Sequence, residues 1–366
     1  MSRFERQHIL PDFGATGQEK LRDARILVVG AGGLGCPALL YLSAAGVGTI
    51  GIADGDSISE SNLNRQTLFG HDDIGKPKAG TAGKLLKAKY PDINIQIISD
   101  YLNSENILDI LEEYDLVLDG SDNFGTRYMV NDACVLAGKA LVMGAIYKYE
   151  GQVTVFNYGE EPVNYRDLYP VPPAANEIPN CSETGVLGVL PGIIGTLQAA
   201  EAIKIISGLG KVLSNKVLFY DLKNCSFYEV IVKPNPASAK QIPADRESFR
   251  KTDYNITCGL AESISWEKAM EWSRSIENSV LIDIRELNEE PVFDQKDIEK
   301  IPMDSLSDNT TQLENVEHVL LFCKSGQRSM KLAEQLKQKF PEKKIFSVEG
   351  GILHPSSPLK MQNDGA

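Results

Sequence analysis

The chain has 366 residues, of which 42% are hydrophobic, and a formal net charge of −13 at pH 7. This apolar fraction supports a sizeable core and excludes wholesale disorder, and the length suits two domains. Lys and Arg form no long basic block, which argues against direct binding to nucleic acid. The first ten residues lack an apolar signal-peptide core, so we expect a cytoplasmic protein whose six cysteines stay reduced.

Strand and helix patterns alternate through the first 150 residues. Residues 24–56 predict a strand, a glycine-rich turn, a helix and a second strand. The alternation continues with strands at 93–99, 115–123 and 141–146 and helices at 104–114 and 131–140. Segments 150–158 and 215–232 predict antiparallel strands added to the parallel ones. The apolar segment 185–200 is too short to span a bilayer comfortably and predicts a buried helix, so no membrane partner is expected.

A change of composition divides the chain. Residues 233–262 are polar and interrupted by prolines, which predicts a linker. Beyond it, helices are predicted at 263–275 and 329–340 and strands at 279–286, 317–322 and 343–351. We therefore predict an α/β domain at 1–232, the linker at 233–262, a smaller α/β domain at 263–354 and a tail at 355–366.

The turn after the first strand has the composition of a phosphate-binding loop. Its glycines are Gly30, Gly32, Gly33 and Gly35. Because a helix follows, backbone N–H groups and the helix dipole can face phosphate oxygens. Asp54 ends the next strand, where a carboxylate can bind ribose hydroxyls, and Asp56 is a candidate beside it. Taken alone, this pattern is typical of dinucleotide binding, so an NAD-dependent oxidoreductase remains an alternative.

Charged residues further along the chain favour a triphosphate over NAD. Asn62, Arg65 and Lys78 follow the second strand, and Asp122 follows the strand at 115–123. Fixed cations and a carboxylate that binds Mg²⁺ suit a leaving pyrophosphate, whereas hydride transfer needs neither. Each residue singly could be a surface charge or a helix cap. The set predicts a site for ATP and Mg²⁺.

Residues 1–232 closely resemble the MoeB/ThiF/HesA family, bacterial relatives of ubiquitin-activating enzymes. The resemblance rests on segments 3–7, 13–14, 17–21, 26–48, 54–69, 75–79, 119–123 and 180–208. It implies a Rossmann-like mixed sheet of the ThiF/MoeB type and a homodimer. It also implies adenylation of the C-terminal glycine of a small ubiquitin-like sulfur-carrier protein that ends in Gly-Gly. Adenylation makes chemical sense, because a carboxylate is a poor electrophile until it carries a good leaving group.

The same resemblance implies a role for individual residues. Gly33 and Asp54 would contact the nucleoside. Asn62, Arg65 and Lys78 would hold the phosphates. Asp122 would bind the Mg²⁺ ion that accompanies ATP. Arg6 would reach into the site of the other subunit.

The first five cysteines fall into three groups. Cys36, Cys134 and Cys225 lie in helix or strand patterns and are expected to be small buried residues. Cys181 lies in a polar loop; by resemblance it attacks the adenylate or resolves a persulfide, although an exposed structural thiol remains an alternative. We have no functional interpretation of Cys258.

One departure from the family concerns a structural zinc site. The family usually carries two Cys-x-x-Cys pairs. The matching positions here are Asn164, Asp167, Ser238 and Gln241. None is a thiolate, so we predict that a tetrahedral zinc site is absent.

The sixth cysteine, Cys323, ends a predicted strand and is followed by Lys324 and Arg328. Nearby cations and a helix N-terminus stabilise a thiolate, so this thiol is expected to be ionised. Arg328 lies five positions after the cysteine, whereas a tyrosine-phosphatase loop has six, so the loop suits a single sulfur atom. Residues 263–351 resemble a rhodanese, which implies persulfide sulfur transfer. We expect a cysteine desulfurase as the sulfur donor, although the sequence does not identify it. A degenerate loop with an idle cysteine remains an alternative, because the segment before the cysteine strand is short.

These observations predict an enzyme that adenylates a sulfur carrier and then transfers sulfur from a persulfide on Cys323 to give a thiocarboxylate. A nucleotide-binding scaffold with a docking module, or adenylation of a different carboxylate, remains an alternative. The sequence does not distinguish carriers of molybdopterin, thiamine or tRNA-thiolation pathways.

Overall fold

The computed structural model describes residues 3–172, 185–254, 262–287, 289–291, 297–308, 310–324, 326–354 and 356–359. These residues form two compact units, the first within 3–254 and the second within 262–359. Each unit is described by itself.

The first unit is a mixed sheet with helices on both faces. Its helices are α1 (Glu5–His8), α2 (Gly14–Asp23), α3 (Gly35–Ala45), α4 (Lys78–Lys89), α5 (Ile107–Leu111), α6 (Phe124–Ala137), α7 (Tyr165–Leu168), α8 (Val189–Ser207) and α9 (Arg246–Lys251). Its strands are β1 (Arg25–Val29), β2 (Thr49–Ala53), β3 (Asn94–Ile98), β4 (Leu116–Asp119), β5 (Ala140–Tyr147), β6 (Glu150–Phe156), β7 (Lys216–Asp221) and β8 (Ser226–Ile231).

The strand order β3-β2-β1-β4-β5-β6-β7-β8 positions the candidate site. The first five strands in this order are parallel and the last three are antiparallel, as the sequence predicts. Val29, the last residue of β1, pairs with Ala53 on one side and Asp119 on the other. The loops that follow β1, β2 and β4 therefore meet at one edge of the sheet, where open α/β sheets bind ligands.

Apolar side chains alternate between the two faces of β1. Ile26 and Val28 belong to the core on one face, and Leu27 and Val29 belong to the core on the other. Helix α8 has 19 residues and is apolar enough to cross a membrane by length and composition. It packs against α3, β5 and β6, so in this structure it is a core helix.

The segment predicted as a linker differs from the expectation. Residues 235–254 fold against the first unit instead of standing apart from it. Phe249, on α9, is fully buried, and Arg246 forms an ion pair with Asp109 of α5. The hydroxyl of Tyr254 donates to Asp132 at 2.8 Å. The polar and proline-rich composition hides these anchors, because one aromatic ring and a few paired charges hold the segment.

Cys225 corrects a second expectation. It is exposed, with φ +50°, in the turn between β7 and β8. The run that predicts a continuous strand pattern is a hairpin, and this residue lies at its turn. Cys36 and Cys134 are buried as predicted.

The second unit contains a five-stranded parallel sheet in the order β11-β10-β12-β13-β9. Its strands are β9 (Glu262–Ile264), β10 (Ser279–Asp283), β11 (Glu299–Lys300), β12 (His318–Phe322) and β13 (Lys344–Val348). Its helices are α10 (Trp266–Ser275), α11 (Met303–Asp308) and α12 (Gln327–Lys339). Strand β9 occupies the start of the predicted helix, because Ser265 caps α10 by accepting from the N–H of Lys268.

Candidate functional site

The glycine-rich turn between β1 and α3 is tightly packed. Gly30 has φ +87°, a left-handed conformation that favours glycine. A Cβ at Gly35 would lie 1.9 Å from the carbonyl oxygen of Gly30, and one at Gly33 would lie 3.1 Å from the Pro191 side chain. The backbone can approach a ligand closely here because no side chain intervenes, and the start of α8 lies against the turn.

Asp54, after β2, is bound to the glycine-rich turn. Its carboxylate accepts from the N–H groups of Ala31 at 2.7 Å and Asp56 at 2.9 Å. Burial raises the pKa of Asp54 despite these bonds. The contacts fix this carboxylate beside the loop that is predicted to hold the nucleotide.

Lys78, at the first position of α4, is buried, with 7% of its surface exposed. Its ammonium group donates to Asp56 at 2.8 Å, and the hydroxyl of Tyr101 donates to the other oxygen of that carboxylate. Burial pushes the pKa of Asp56 upward, but the bonds from Lys78 and Tyr101 outweigh it and the pKa is lowered. The bond to Asp56 raises the pKa of Tyr101 to about 12, so this hydroxyl stays protonated.

The loop between β2 and α4 organises Asn62 and Arg65 locally. Asn62 accepts from the N–H of Ser59 at 3.1 Å. The Arg65 guanidinium donates to the carbonyl of Ser61 at 2.9 Å and to Asn64 at 3.1 Å. A groove of about 530 Å³ lies beside this loop and is lined by Asn64, Thr67, Gly188, Val189, Gly192, Ile193, Thr196 and Leu197. The groove is mostly apolar.

The carboxyl end of β4 collects buried polar atoms without partners among the described residues. These atoms are Asp119 Oδ2, Ser121 Oγ, Arg127 Nε and Gln198 Oε1. Gln66 Oε1, in the loop between β2 and α4, also has no partner among the described residues. The other oxygen of Asp119 accepts from the N–H of Ser121 at 2.8 Å, and Gln198 donates to the Asp119 carbonyl at 2.6 Å. Burial raises the pKa of Asp119. Since an unsatisfied buried polar group costs about 1–3 kcal/mol, such a cluster marks a place for a ligand or water.

Asp122 lies three residues further, exposed at the start of the loop before α6. A carboxylate here, with the unpaired oxygen of Asp119 nearby in the chain, supplies the oxygen ligands that Mg²⁺ prefers. Magnesium is usually bound by one or two carboxylates together with substrate phosphates. The residues present therefore fit a Mg²⁺ ion that arrives with a nucleotide.

Arg6 lies at the opposite end of α3 from the glycine-rich turn. It is exposed on α1, where the neighbouring Gln7 donates to the carbonyl of Ala45, the last residue of α3. Ala45 lies ten residues after Gly35 along this helix, a distance of about 15 Å. Within one chain, Arg6 is therefore not brought to the predicted phosphate residues.

Residues at the expected zinc positions form a hydrogen-bonded cluster. Asp167 accepts from the backbone and side-chain nitrogens of Asn164, each at 2.8 Å. Its other oxygen accepts from the N–H of Asn235 and the hydroxyl of Ser238. The carboxylate of Asp167 is thereby saturated with donors, and these residues do not fit a tetrahedral zinc ion. Gln241 is exposed. Cys181 and Cys258 lie outside the described residues.

Cys323 follows β12 and is buried. Its sulfur accepts from the N–H of Ser329 at 3.4 Å and from the Ser329 hydroxyl at 3.6 Å. The Ser329 hydroxyl is in turn 2.8 Å from that of Ser347, on β13. Gly326, at φ +86°, directly precedes α12. Donors aimed at one sulfur from a helix N-terminus are what a thiolate or persulfide requires.

Arg328 is paired with a carboxylate that belongs to none of the motifs described above. Its two terminal nitrogens donate to the two oxygens of Glu289 at 2.6 and 2.7 Å. This hydrogen bonding, more than the influence of Cys323, raises the pKa of Arg328. The same pair lowers the pKa of Glu289 to about 2.

The ThiF family model matches residues 4–241. The chain belongs to the ThiF family. It is 39% identical to a probable adenylyltransferase/sulfurtransferase, MoeZ, of Mycobacterium tuberculosis, over 96% of this chain and 92% of that protein. It is 48% identical to a sulfur carrier protein adenylyltransferase of Thermus thermophilus, over 71% of this chain and 97% of that protein. It is 36% identical to the adenylyltransferase and sulfurtransferase MOCS3 of Drosophila grimshawi, over 96% of this chain and 83% of that protein.

A solved structure shares the fold. Crystal structures of E. coli MccB include one with ATP, at a TM-score of 0.56 and 24% identity, covering 64% of this chain and 73% of that one. This likeness concerns the fold and bears out the mixed α/β sheet predicted from the sequence.

Several residues described above were not predicted from the sequence, among them Gln66, Tyr101, Arg127, Gln198, Glu289 and Ser329. Gln66 follows Arg65 directly, and Arg127 lies one helical turn after Asn123, so both were within reach of a motif search. No sequence pattern near Tyr101 or Glu289 indicates their contacts, because each is brought to its partner, Asp56 or Arg328, only by the folding of the chain.

Proposed function

We propose that this protein uses ATP to adenylate the C-terminal glycine of a small ubiquitin-like sulfur carrier and then replaces the AMP with sulfur. The observation that carries the proposal is that one chain holds both a glycine-rich turn flanked by Lys78 and Arg65 and a Cys323 sulfur that accepts two hydrogen bonds. The names of full-length relatives, adenylyltransferase/sulfurtransferase, support this combination.

In the first half of the reaction, the carrier carboxylate attacks the α-phosphorus of ATP and pyrophosphate leaves. We assign Gly33 and Asp54 to the nucleoside and Asn62, Arg65 and Lys78 to the phosphates. Lys78 is suited to this role because it is buried and already fixed by Asp56, so little reorganisation is needed as negative charge shifts to the leaving group.

Asp122, with Asp119, would hold Mg²⁺. A magnesium ion bound there would neutralise phosphate charge. The residues of the chain itself bind and orient the nucleotide. The glycines of the glycine-rich turn have no side chains to keep the phosphates away from its backbone, and Arg65 and Lys78 supply fixed positive charge.

In the second half, a persulfide on Cys323 supplies the sulfur. Its terminal sulfur attacks the acyl carbon of the adenylate, and AMP leaves. Another thiol then attacks the Cys323 sulfur of the acyl persulfide, and the thiocarboxylate leaves with the electron pair of the S–S bond. The disulfide that forms between Cys323 and this thiol is returned to two thiols by an external dithiol reductant. We assign the role of this second thiol to Cys181. The alternative role for Cys181 is direct attack on the adenylate. The Ser329 donors stabilise negative charge on the Cys323 sulfur.

Partners follow from the same chemistry. A cysteine desulfurase is the natural persulfide donor, and a homodimer would bring Arg6 of one subunit to the nucleotide site of the other, which the position of α1 within one chain does not allow. We place the enzyme in the cytoplasm, where thiols stay reduced.

The test uses purified full-length protein with ATP, a persulfide donor and each candidate Gly-Gly-ended carrier. Carrier-dependent exchange of pyrophosphate into ATP reports adenylation, and the mass of the carrier reports replacement of oxygen by sulfur. Cys323→Ala should keep exchange at the wild-type rate and abolish thiocarboxylate formation. Cys181→Ala should also keep exchange and lower sulfur transfer.

The outcomes separate the alternatives. No exchange with any carrier, together with nucleotide binding, would favour the scaffold. Nicotinamide binding without exchange would favour the oxidoreductase. Wild-type thiocarboxylate formation by Cys323→Ala would remove Cys323 from the reaction.

A further inference from the structure

The charges around Cys323 are arranged in pairs. Arg328 is neutralised by Glu289 through two parallel hydrogen bonds of 2.6 and 2.7 Å. The buried Arg285 is neutralised by Asp283 at 2.6 Å. In each pair the guanidinium donates through two nitrogens to one carboxylate, which gives geometric specificity as well as charge neutralisation. Of the two cations in the Cys323 loop, Lys324 and Arg328, the second is therefore offset by a carboxylate from another segment of the chain.

The segment that carries Glu289 is built onto Arg285. The guanidinium of Arg285 donates to the backbone carbonyls of Glu289, Glu290 and Pro291 at 3.5, 3.2 and 3.0 Å. The carboxylate of Glu289 also accepts from the N–H of Glu286 at 3.0 Å. Since Arg285 is fully buried, this scaffold holds Glu289 against Arg328 and restricts other orientations of the pair.

We propose that Glu289 is a specificity-determining residue of the sulfur-loading step: by pairing with Arg328 it prevents the Cys323 loop from attracting small dianionic sulfur donors and favours sulfur borne on a partner protein. This inference rests on the proposed sulfur transfer at Cys323. In that step the Cys323 thiolate attacks the outer sulfur of the donor, the donor S–S bond breaks, and the electron pair leaves with the donor thiolate. With thiosulfate as donor, sulfite leaves instead, so both reactions are redox-neutral.

The other ionisable groups near the Cys323 loop do not offset the charge of Arg328. Lys324 is exposed on the loop itself, and His354 packs beside Gly350, whose backbone lies against Gly326. The His354 ring nitrogen Nδ1 is bonded to Ser356 at 2.7 Å. Within the part of the second unit that the structure describes, Glu289 is the carboxylate in direct contact with Arg328.

The first experiment measures how the Cys323 site discriminates between reagents of different charge. The full-length protein is alkylated with iodoacetate, which is an anion, or with neutral iodoacetamide, and labelling of the Cys323 peptide is followed by mass spectrometry. The ratio of the two rates does not depend on the thiolate fraction, because both reagents attack the same thiolate. Glu289→Gln should raise the iodoacetate-to-iodoacetamide ratio about threefold to tenfold at low salt, because one negative charge near the sulfur is lost. The rise should shrink at high salt.

Two variants serve as controls. Glu286→Gln removes an exposed acid from the same segment that does not pair with Arg328 and should change the ratio much less. Arg328→Ala should lower the ratio below wild type. An unchanged ratio in Glu289→Gln, or an equal rise in Glu286→Gln, would overturn the proposal.

The second experiment measures sulfur loading on Cys323 from thiosulfate and from cysteine persulfide. Glu289→Gln should lower the KM for thiosulfate about threefold to tenfold while kcat stays within twofold, and should leave loading from the persulfide nearly unchanged. A merely structural role would lower kcat or stability and leave the KM for the dianion unimproved. If wild-type Cys323 accepts sulfur from neither donor, the proposed sulfur transfer fails. The alkylation ratio still decides whether Glu289 controls the charge of the site.

Discussion

The ion pair between Lys78 and Asp56 gives a quantitative test of the nucleotide site. Lys78 is only 7% exposed, and its ammonium group lies 2.8 Å from the Asp56 carboxylate. Lys78→Ala removes the fixed positive charge and leaves Asp56 and Asp54 beside the polyphosphate. We expect both effects to weaken the transition state of adenylation.

The expected size follows from the geometry. A unit charge about 4 Å from a phosphate charge interacts by about 4 kcal/mol at an effective dielectric constant of about 20, the value suited to sites near a protein surface. Loss of one preorganised transition-state donor costs ~3–4 kcal/mol in enzymes where it has been removed. Both figures correspond to a fall of about two to three orders of magnitude in the rate of adenylation.

The assay is carrier-dependent exchange of labelled pyrophosphate into ATP. Lys78→Met keeps most of the buried aliphatic stem and should be nearly as impaired as Lys78→Ala, which separates loss of charge from loss of packing. Lys76→Ala is the matched control: Lys76 is half-exposed and pairs with Asp73, so exchange should stay close to wild type. Exchange within about tenfold of wild type in a folded Lys78→Met variant would refute the reasoning.

The remaining predictions concern the Asp167 cluster, the cysteines and the Glu289 pair. Asp167→Ala should lower the free energy of unfolding, measured by urea denaturation, by about 2–4 kcal/mol, because the groups that donate hydrogen bonds to Asp167 lose their acceptor. A loss below about 0.5 kcal/mol would contradict this prediction. Elemental analysis should find no stoichiometric zinc, and one zinc per chain would overturn the prediction. At pH 8, native protein should be alkylated at Cys225 much faster than at Cys36, since burial raises the pKa of Cys36 to about 12; equal rates would contradict the burial. The pKa of Glu289 falls from 4.5 to about 2 on folding, so its pairing with Arg328 stabilises the protein above pH 4.5 and this stabilisation is lost as the pH falls towards 2. The difference in the free energy of unfolding between wild type and Glu289→Gln should therefore be constant from pH 7 to 5 and shrink below pH 5. A difference that grows on acidification would refute this prediction.

Features that depend on neighbouring residues were predictable from the sequence. The turn at Gly30–Gly35 needs glycine for a left-handed residue and for close packing, so it leaves a local pattern. The placement of Asp54 and Asp122 after strands follows from the alternation of apolar segments. The spacing from Cys323 to Arg328 is likewise a local property.

Partners that are distant in the chain were decided by the tertiary structure. Tyr101 is 45 residues from Asp56, and Glu289 is 39 residues from Arg328. Neither contact leaves a pattern in the sequence, because it depends on strand order and on the path of loops between strands.

The segment 235–254 shows the same limit. Its composition is that of a linker, yet Phe249 is buried and Tyr254 bonds to Asp132, 122 residues earlier. By itself, the sequence determined the glycine-rich turn, the parallel strands and the cysteine loop, because short-range backbone geometry dictates their residues. Only the tertiary structure decided that Lys78 is held by Asp56 and that Glu289 offsets Arg328, because electrostatic pairing depends on which side chains the folded sheet brings within a few ångströms.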